Sequence, residues 1–138
     1  MAKRPTKAER NYREEFRNHL TTLHTIIRAS VPLMLAAEAR SMELTDDPVC
    51  PKLAEYYHTH AKEEAGHDEW LLADLKIIGM PKSEALARRP TQEVAELVGS
   101  QYYWIRHWHP VCLLGYIAVM EGNPPPKQAP TPSQPPAA

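Results

Sequence analysis

A stripe of residues between positions 51 and 78 constrains the fold of this chain more than any other feature. Taken in steps of three and four, its members are Leu53, Tyr57, His60, Glu64, His67, Leu71, Leu75 and Ile78. This spacing is that of one face of an α-helix, so it predicts one continuous helix over residues 51–78. Gly79 then stands where a left-handed helix cap is wanted, and Pro81 follows two residues later.

Three polar residues, His60, Glu64 and His67, occupy the middle of this otherwise apolar stripe. A carboxylate on a core-facing position without a partner would cost several kcal/mol or take up a proton, and a metal ion is one natural partner. The i, i+3 spacing of Glu64 and His67 places both on one helix face, as in di-iron helical bundles. The same spacing also suits a buried, hydrogen-bonded structural pair. His60 is expected to be either a satisfied core histidine or a hydrogen-bond partner behind the ligands.

The rest of the sequence before the C-terminal segment also has helical periodicity. Residues 8–28 carry an apolar stripe at spacings of four, three and four, and residues 31–44 form a second helical segment. Thr91 is predicted to cap a later helix, and Gly99 with Ser100 to mark a break or kink. Because no convincing alternating strand pattern is present, the predicted class is all-α, a helical bundle.

The last helical segment, residues 101–122, contributes a second carboxylate on an apolar face. Leu114, Ile117 and Glu121 lie at positions i, i+3 and i+7, and Pro110 is predicted to bend this helix. The alternative is an exposed terminal glutamate, although a negative charge at a helix C-terminus is electrostatically unfavourable. Glu121 is therefore a third candidate ligand.

Composition limits the class of protein. The chain has 138 residues, enough for one modest domain, and a net charge of −1 gives no electrostatic reason to expect nucleic acid or an anionic membrane as partner. No apolar run long enough to span a bilayer is expected, and the N-terminus lacks the apolar core of a secretory signal. Cys50 and Cys112 are too few for a disulfide framework or a thiolate zinc site. A cytoplasmic protein without nucleic-acid or membrane partners is predicted.

The chain divides into three parts by composition. Residues 1–8 form a basic N-terminus that is expected to be flexible, and residues 9–123 form the helical domain. Residues 124–138 contain seven prolines and no aromatic or β-branched aliphatic residue. Such a segment cannot bury a core, so a disordered tail is predicted.

Two segments resemble a known group of enzymes: YYHTHAKEEAGHDEWLLADLKIIGMP and VGSQYYWIRHWHPVCLLGYIAVMEGNPP. They are similar to the haem-oxygenase-like iron-containing redox enzymes, a superfamily that includes TenA-type thiaminases and pyrroloquinoline-quinone synthase-like proteins. The resemblance covers residues 15–125 approximately and implies a haem-oxygenase-like helical bundle. It also implies a non-haem iron site, in many members a di-iron site, that activates O2 to oxidise a small-molecule substrate. The ligands it implies here are Glu64, His67 and Glu121, with His60 behind them.

The resemblance also implies what is missing. In the di-iron members a final helix with a His…Asp…His set follows the second glutamate, whereas here no histidine follows His109. The bundle is therefore expected to lack its last helices and to be truncated relative to the family. A single chain is expected to be weakly active or inactive, and uncovered apolar helix faces predict a homo-oligomer. The alternative function is a non-catalytic helical interaction protein in which Glu64 and His67 form a buried structural pair.

Overall fold

The computed structural model describes residues 2–122, and every regular element within that range is helical. In chain order the elements are α1 (Lys7–Ile27), α2 (Ser30–Glu43), α3 (Cys50–Glu64), α4 (His67–Ile77), α5 (Lys82–Ala87), α6 (Gln92–His107), a 3-10 turn (Pro110–Cys112) and α7 (Leu113–Gly122). The predicted all-α class is therefore confirmed. The tail predicted for residues 124–138 lies outside the described residues.

The main core lies between α2, α3, α6 and α7, and α2 with α3 is the most extensively packed helix pair. Its buried side chains are Leu33, Met34, Ala37, Cys50, Leu53, Tyr57, Ala61, Ile105, Leu113, Tyr116 and Ile117. Each large apolar side chain that is fully buried here contributes about 1.5–3 kcal/mol. The hydroxyl of Tyr57 donates a hydrogen bond of 2.6 Å to the carbonyl of Pro110, which ties α3 to the turn before α7.

A smaller cluster joins α1 to α4 and α5, and it is built on Leu72, Leu75, Met80 and Ala85. The buried face of α1 is Thr21, His24 and Thr25, whereas Phe16 of its apolar stripe is exposed. The two threonine hydroxyls donate hydrogen bonds to carbonyls of their own helix, at 2.7 and 2.6 Å, so they enter the interior without an unpaired donor.

The prediction of one continuous helix over residues 51–78 is wrong. The helix stops at Glu64 and a new one begins at His67, because Gly66 adopts a φ of +90° that breaks the helical hydrogen-bond ladder. Periodicity did not reveal the break, since the stripe keeps its spacing across it. Gly79 has a φ of +91°, which confirms the left-handed cap predicted at the end of α4.

Two predictions about the C-terminal helices are also wrong. The helix α6 is not broken at Gly99, and the hydroxyl of Ser100 is bonded back to the carbonyl of Leu97 at 2.9 Å. Pro110 does not bend a longer helix, because α6 ends before it and α7 begins after it. The residue before the proline, His109, is extended at φ −155° and ψ 140°, as steric crowding by a proline ring requires.

The stretch Lys7–Glu43 contains an apolar window that the sequence reading overlooked. Over 18 residues its mean hydropathy reaches 1.3, which by length and composition alone is sufficient for one membrane-crossing helix. The window lies across α1 and α2, and Leu33, Met34 and Ala37 within it are packed in the main core. Core helices of soluble proteins pass the same hydropathy test, so the absence of a membrane partner stays a prediction.

Candidate metal centre

The three predicted ligands, Glu64, His67 and Glu121, line one cleft of about 160 Å³. Glu64 is the last residue of α3, His67 is the first of α4, and Glu121 lies at the end of α7. The other walls of the cleft are Ile27, Ser30, Met34, Tyr116, Ile117 and Met120. A wider groove of about 470 Å³ between α2 and α6 contains none of the candidate ligands.

The side chains that converge most closely are His60, Glu64 and Glu121, whose ligand atoms all lie within 4.8 Å of one another. This differs from the predicted arrangement, in which His67 was a ligand and His60 lay behind the site. The helix break explains the difference, because it turns His67 away from the register that it would have on a continuous α3. We call His60, Glu64, His67 and Glu121 together the carboxylate–histidine cluster.

The imidazole of His60 has a nitrogen without a hydrogen-bond partner. Its Nε2 is fully buried and lies 2.5 Å from Oε1 of Glu121, but the two groups do not have hydrogen-bond geometry. Its Nδ1 lies 3.4 Å from Oε2 of Glu63, and the ring of Tyr56 stacks on the imidazole at 5.3 Å. A separation of 2.5 Å has room for a shared proton and not for a metal ion, so an ion would bind Nε2 only after the half-exposed carboxylate of Glu121 turned aside.

The imidazole of His67 is held from two sides. Its Nδ1 lies 3.0 Å from Oε2 of Glu64, and the indole of Trp70 stacks on it with ring centroids 4.5 Å apart. An Nδ1–H that donates to the carboxylate leaves Nε2 as the nitrogen with a free lone pair. That is the tautomer in which a histidine oriented by a carboxylate binds a metal.

The inner wall of the cleft carries a tyrosine with an unused hydroxyl. The hydroxyl of Tyr116 is buried and has no hydrogen-bond partner among the described residues. Burial raises the pKa of Tyr116, and the neighbouring side chain of Ser30 offsets part of that rise. The phenol therefore stays protonated.

The donors of the cluster fit one divalent ion of the first transition row. Imidazole suits iron and zinc, carboxylates suit manganese and magnesium, and a mixed set such as this suits iron or manganese. The orphaned Nε2 of His60 supports this fit, since an ion would occupy its lone pair. Two ions need about six protein ligands, more than the cluster offers within one chain.

A second group of ligand-type residues, Asp47, Cys50 and His109, lies between the α2–α3 loop and the linker after α6, and sequence reasoning missed it. Here Nε2 of His109 is 2.8 Å from Oδ2 of Asp47 and 3.7 Å from Sγ of Cys50. His109 is 59 positions from Cys50 and 62 from Asp47 along the chain. Only the close packing of Pro110 against α3 could have indicated that they meet.

The hydrogen bonds of this second group indicate a structural role. Nδ1 of His109 accepts from the backbone N–H of Val111 at 3.0 Å, so Nε2 carries the proton and donates to Asp47. Metal binding through Nε2 would move that proton to Nδ1, against the N–H of Val111. Burial raises the pKa of the Cys50 thiol and Asp47 raises it further, so Cys50 is not an activated nucleophile. The bond from His109 holds the pKa of Asp47 below its ordinary value.

Comparisons of the chain with protein-family models, with curated proteins and with solved structures found no match in any of the three. The resemblance to the haem-oxygenase-like iron-containing redox enzymes therefore stays a prediction.

Proposed function

We propose that the protein binds iron in the carboxylate–histidine cluster and is an O2-dependent oxidoreductase of the iron-containing redox type. The observation that carries this proposal is the convergence of the ligand atoms of His60, Glu64 and Glu121 within 4.8 Å beside a cleft of about 160 Å³. The donor set suits iron and manganese, and the resemblance of the sequence favours iron. Iron bound there would supply the redox and O2 chemistry that no side chain of the chain can supply.

The chain's own residues would hold the ion and shape the cleft. Glu64 and Glu121 supply negative charge, and the stacking of Trp70 together with the carboxylate of Glu64 fixes the ring of His67. Apolar side chains of α1, α2 and α7 line the remainder of the cleft. No catalytic acid or base is assigned.

Iron content after anaerobic Fe(II) loading tests the proposal. The wild-type chain is expected to retain iron after desalting, and the double variant Glu64→Ala/His67→Ala is expected to retain little. Glu55→Ala is the matched control, because Glu55 is an exposed glutamate of the same helix α3. Equal, near-zero iron in the wild type and the double variant would contradict iron binding. Iron-dependent O2 consumption in the presence of a reductant then tests the redox step.

A second candidate is a non-catalytic helical interaction protein, and one observation favours it. The hydrogen bond of 3.0 Å between Glu64 and His67 is complete without any ion. The pair would then stabilise the junction of α3 and α4 by about 1 kcal/mol, because both side chains are partly exposed. In that case the double variant would unfold at lower urea concentration than the wild type in chelator, and iron would not stabilise either protein.

A further inference from the structure

The ligand inventory of the cluster is one half of a known set. Helical bundles that hold two iron or two manganese ions use two Glu-x-x-His pairs and two further glutamates, giving four carboxylates and two histidines. The described residues supply one Glu-x-x-His pair, Glu64 and His67, one further glutamate, Glu121, and a second histidine, His60, so two copies carry the four carboxylates of the set and more histidines than it needs. Four carboxylates balance the charge of two divalent ions, and the two in this chain balance the charge of one.

We propose that a second copy of this chain covers the open side of the cleft, and that the two carboxylate–histidine clusters together hold two divalent ions. The inference rests on the proposed function, because it requires that the cluster binds metal. A two-fold axis through the site makes the interface isologous, so that each copy contributes the half that the other lacks.

The surface around the cluster has the chemistry of an interface centre. Tyr56 and Trp70 are 40% and 68% exposed, although each ring stacks on a candidate ligand, His60 or His67. Ile77, two helical turns beyond Trp70 on the same face of α4, is 83% exposed. Aromatic anchors are enriched at the centres of protein interfaces. A partner that shields the ligands would therefore bury the most exposed aromatic rings beside them.

Electrostatics makes the association dependent on metal. Glu121 is exposed and Glu64 is partly exposed in the single chain, so both carboxylates are solvated there. Bringing two clusters together without cations would place four carboxylates in one poorly solvated space, where like charges repel strongly. Two divalent ions neutralise that charge and bridge the halves. The chain is therefore expected to be monomeric in chelator and dimeric with metal.

Sedimentation velocity of the full chain, with metal content measured on the same samples, tests the dimer. Anaerobic Fe(II) and air-stable Mn(II) are the two probes. We expect a single-chain mass in chelator and a two-chain mass with either ion, at one ion per chain. The variants Glu64→Ala and Glu121→Ala are expected to lose both metal and dimer. The control Glu55→Ala is expected to keep both.

Two matched tryptophan variants distinguish the contribution of the interface to dimer formation from that of the metal ligands. Trp70→Ser is expected to raise the dissociation constant of the dimer at saturating metal by at least tenfold, as loss of an interface anchor does. Trp108→Ser removes a similarly exposed indole, 74% exposed, that directly follows α6 and is outside the cluster, and it is expected to change that constant less than twofold. Because Trp70 stacks on His67, its variant is measured at metal concentrations that saturate the cluster.

Three results would overturn the dimer. A single-chain mass that retains one or two ions per chain would overturn it and leave the proposed function standing. A dimer that forms equally in chelator would overturn the shared metal site. A dissociation constant that is the same for Trp70→Ser and the wild type would overturn the proposed interface. Absence of metal from the wild-type chain would overturn both proposals together.

Discussion

Two groups of histidine and carboxylate side chains lie in this small bundle, and their polar atoms are satisfied differently. Around His109 the backbone completes the set, because Val111 donates to Nδ1 and Asp47 accepts both from His109 and from the N–H of Val49. Around His60 the buried Nε2 has no hydrogen-bond partner and faces a carboxylate. Both groups have residues that bind metals. Hydrogen bonding, rather than the residue types, distinguishes the candidate metal centre from the group of Asp47, Cys50 and His109, which we call the structural clasp.

The largest expected effect is a loss of folding stability when the hydrogen bonds of His109 in the structural clasp are removed. His109→Ala removes the acceptor of the N–H of Val111 and the donor to Asp47, so it is expected to lower the free energy of unfolding by about 2–3 kcal/mol. Urea denaturation measures this loss. His107→Ala, at an exposed histidine two positions earlier at the end of α6, is expected to change stability by less than about 0.5 kcal/mol. Iron content should be unaffected by His109→Ala, and its loss would mean that the clasp is the metal centre.

The carboxylate–histidine cluster is expected to respond in the opposite way. His60→Ala should weaken Mn(II) binding at least tenfold, about 1.4 kcal/mol, because it removes one of three convergent ligands. In chelator the same variant should lose less stability than His109→Ala, about 1 kcal/mol, because it removes only the ion pair with the half-exposed Glu121 and the stacking of Tyr56. Isothermal titration and urea denaturation measure the two effects. His58→Ala is the control, because His58 is exposed, lies on the same helix and pairs instead with Glu38 at 2.9 Å. Unchanged metal affinity in His60→Ala would remove the distinction between the two groups.

A third histidine sharpens the comparison, because His24 is fully buried and neither ring nitrogen has a hydrogen-bond partner among the described residues. Burial lowers the pKa of His24 and Arg28 lowers it further, while Asp68 and Glu69 offset part of the shift. In the unfolded chain His24 has its ordinary pKa of about 6.5, so below that pH the unfolded state binds more protons than the folded state. The folding stability therefore falls as the pH drops below about 6.5. His24→Met is expected to stabilise the protein by about 1 kcal/mol at pH 7.

The pH dependence provides the discriminating measurement for His24. Urea denaturation at pH 7 and pH 5 should show that His24→Met widens its advantage over the wild type as the pH falls. His19→Met, an exposed histidine on the same helix, should leave the pH dependence as it is in the wild type. An advantage for His24→Met that shrinks toward pH 5 would mean that the folded state stabilises the protonated ring.

The sequence predicts local features of this fold well and its tertiary junctions poorly. The all-α class, the cap at Thr91, whose hydroxyl accepts from Val94 at 3.3 Å, and the left-handed Gly79 follow from propensities within a few residues. The break at Gly66 was not predicted, because periodicity counts residues and is insensitive to one left-handed glycine inside a stripe.

The candidate site shows the same contrast between local features, which the sequence predicts, and tertiary junctions, which it does not. Spacing placed Glu64 and Glu121 on core-facing positions, and the structure brings both to one cleft. Spacing could not show that His60 converges with them and that His67 is bonded to Glu64, because the bend between α3 and α4 sets the relative orientation of the two rings. The Asp47 to His109 contact links positions 62 apart, beyond any periodic pattern.

The smallest expected effects are at two glycines for which the sequence predictions were reversed, a break at Gly99 and none at Gly66. Gly66 has a φ of +90° and no atom within 4 Å of an added Cβ, so Gly66→Ala meets only backbone strain and is expected to destabilise the protein by about 1 kcal/mol. Gly99 lies inside α6 and also has free space around an added Cβ, so Gly99→Ala is expected to stabilise by about 0.5–1 kcal/mol. Urea denaturation of both variants in chelator measures the signs.

Metal affinity of the same two variants links the break to the candidate centre. Gly66 separates Glu64 from His67, so Gly66→Ala should weaken Mn(II) binding as the junction shifts, whereas Gly99→Ala should leave it unchanged. If Gly66→Ala stabilises the chain and strengthens binding, a continuous helix is compatible with the centre, and the left-handed turn is not what arranges its ligands.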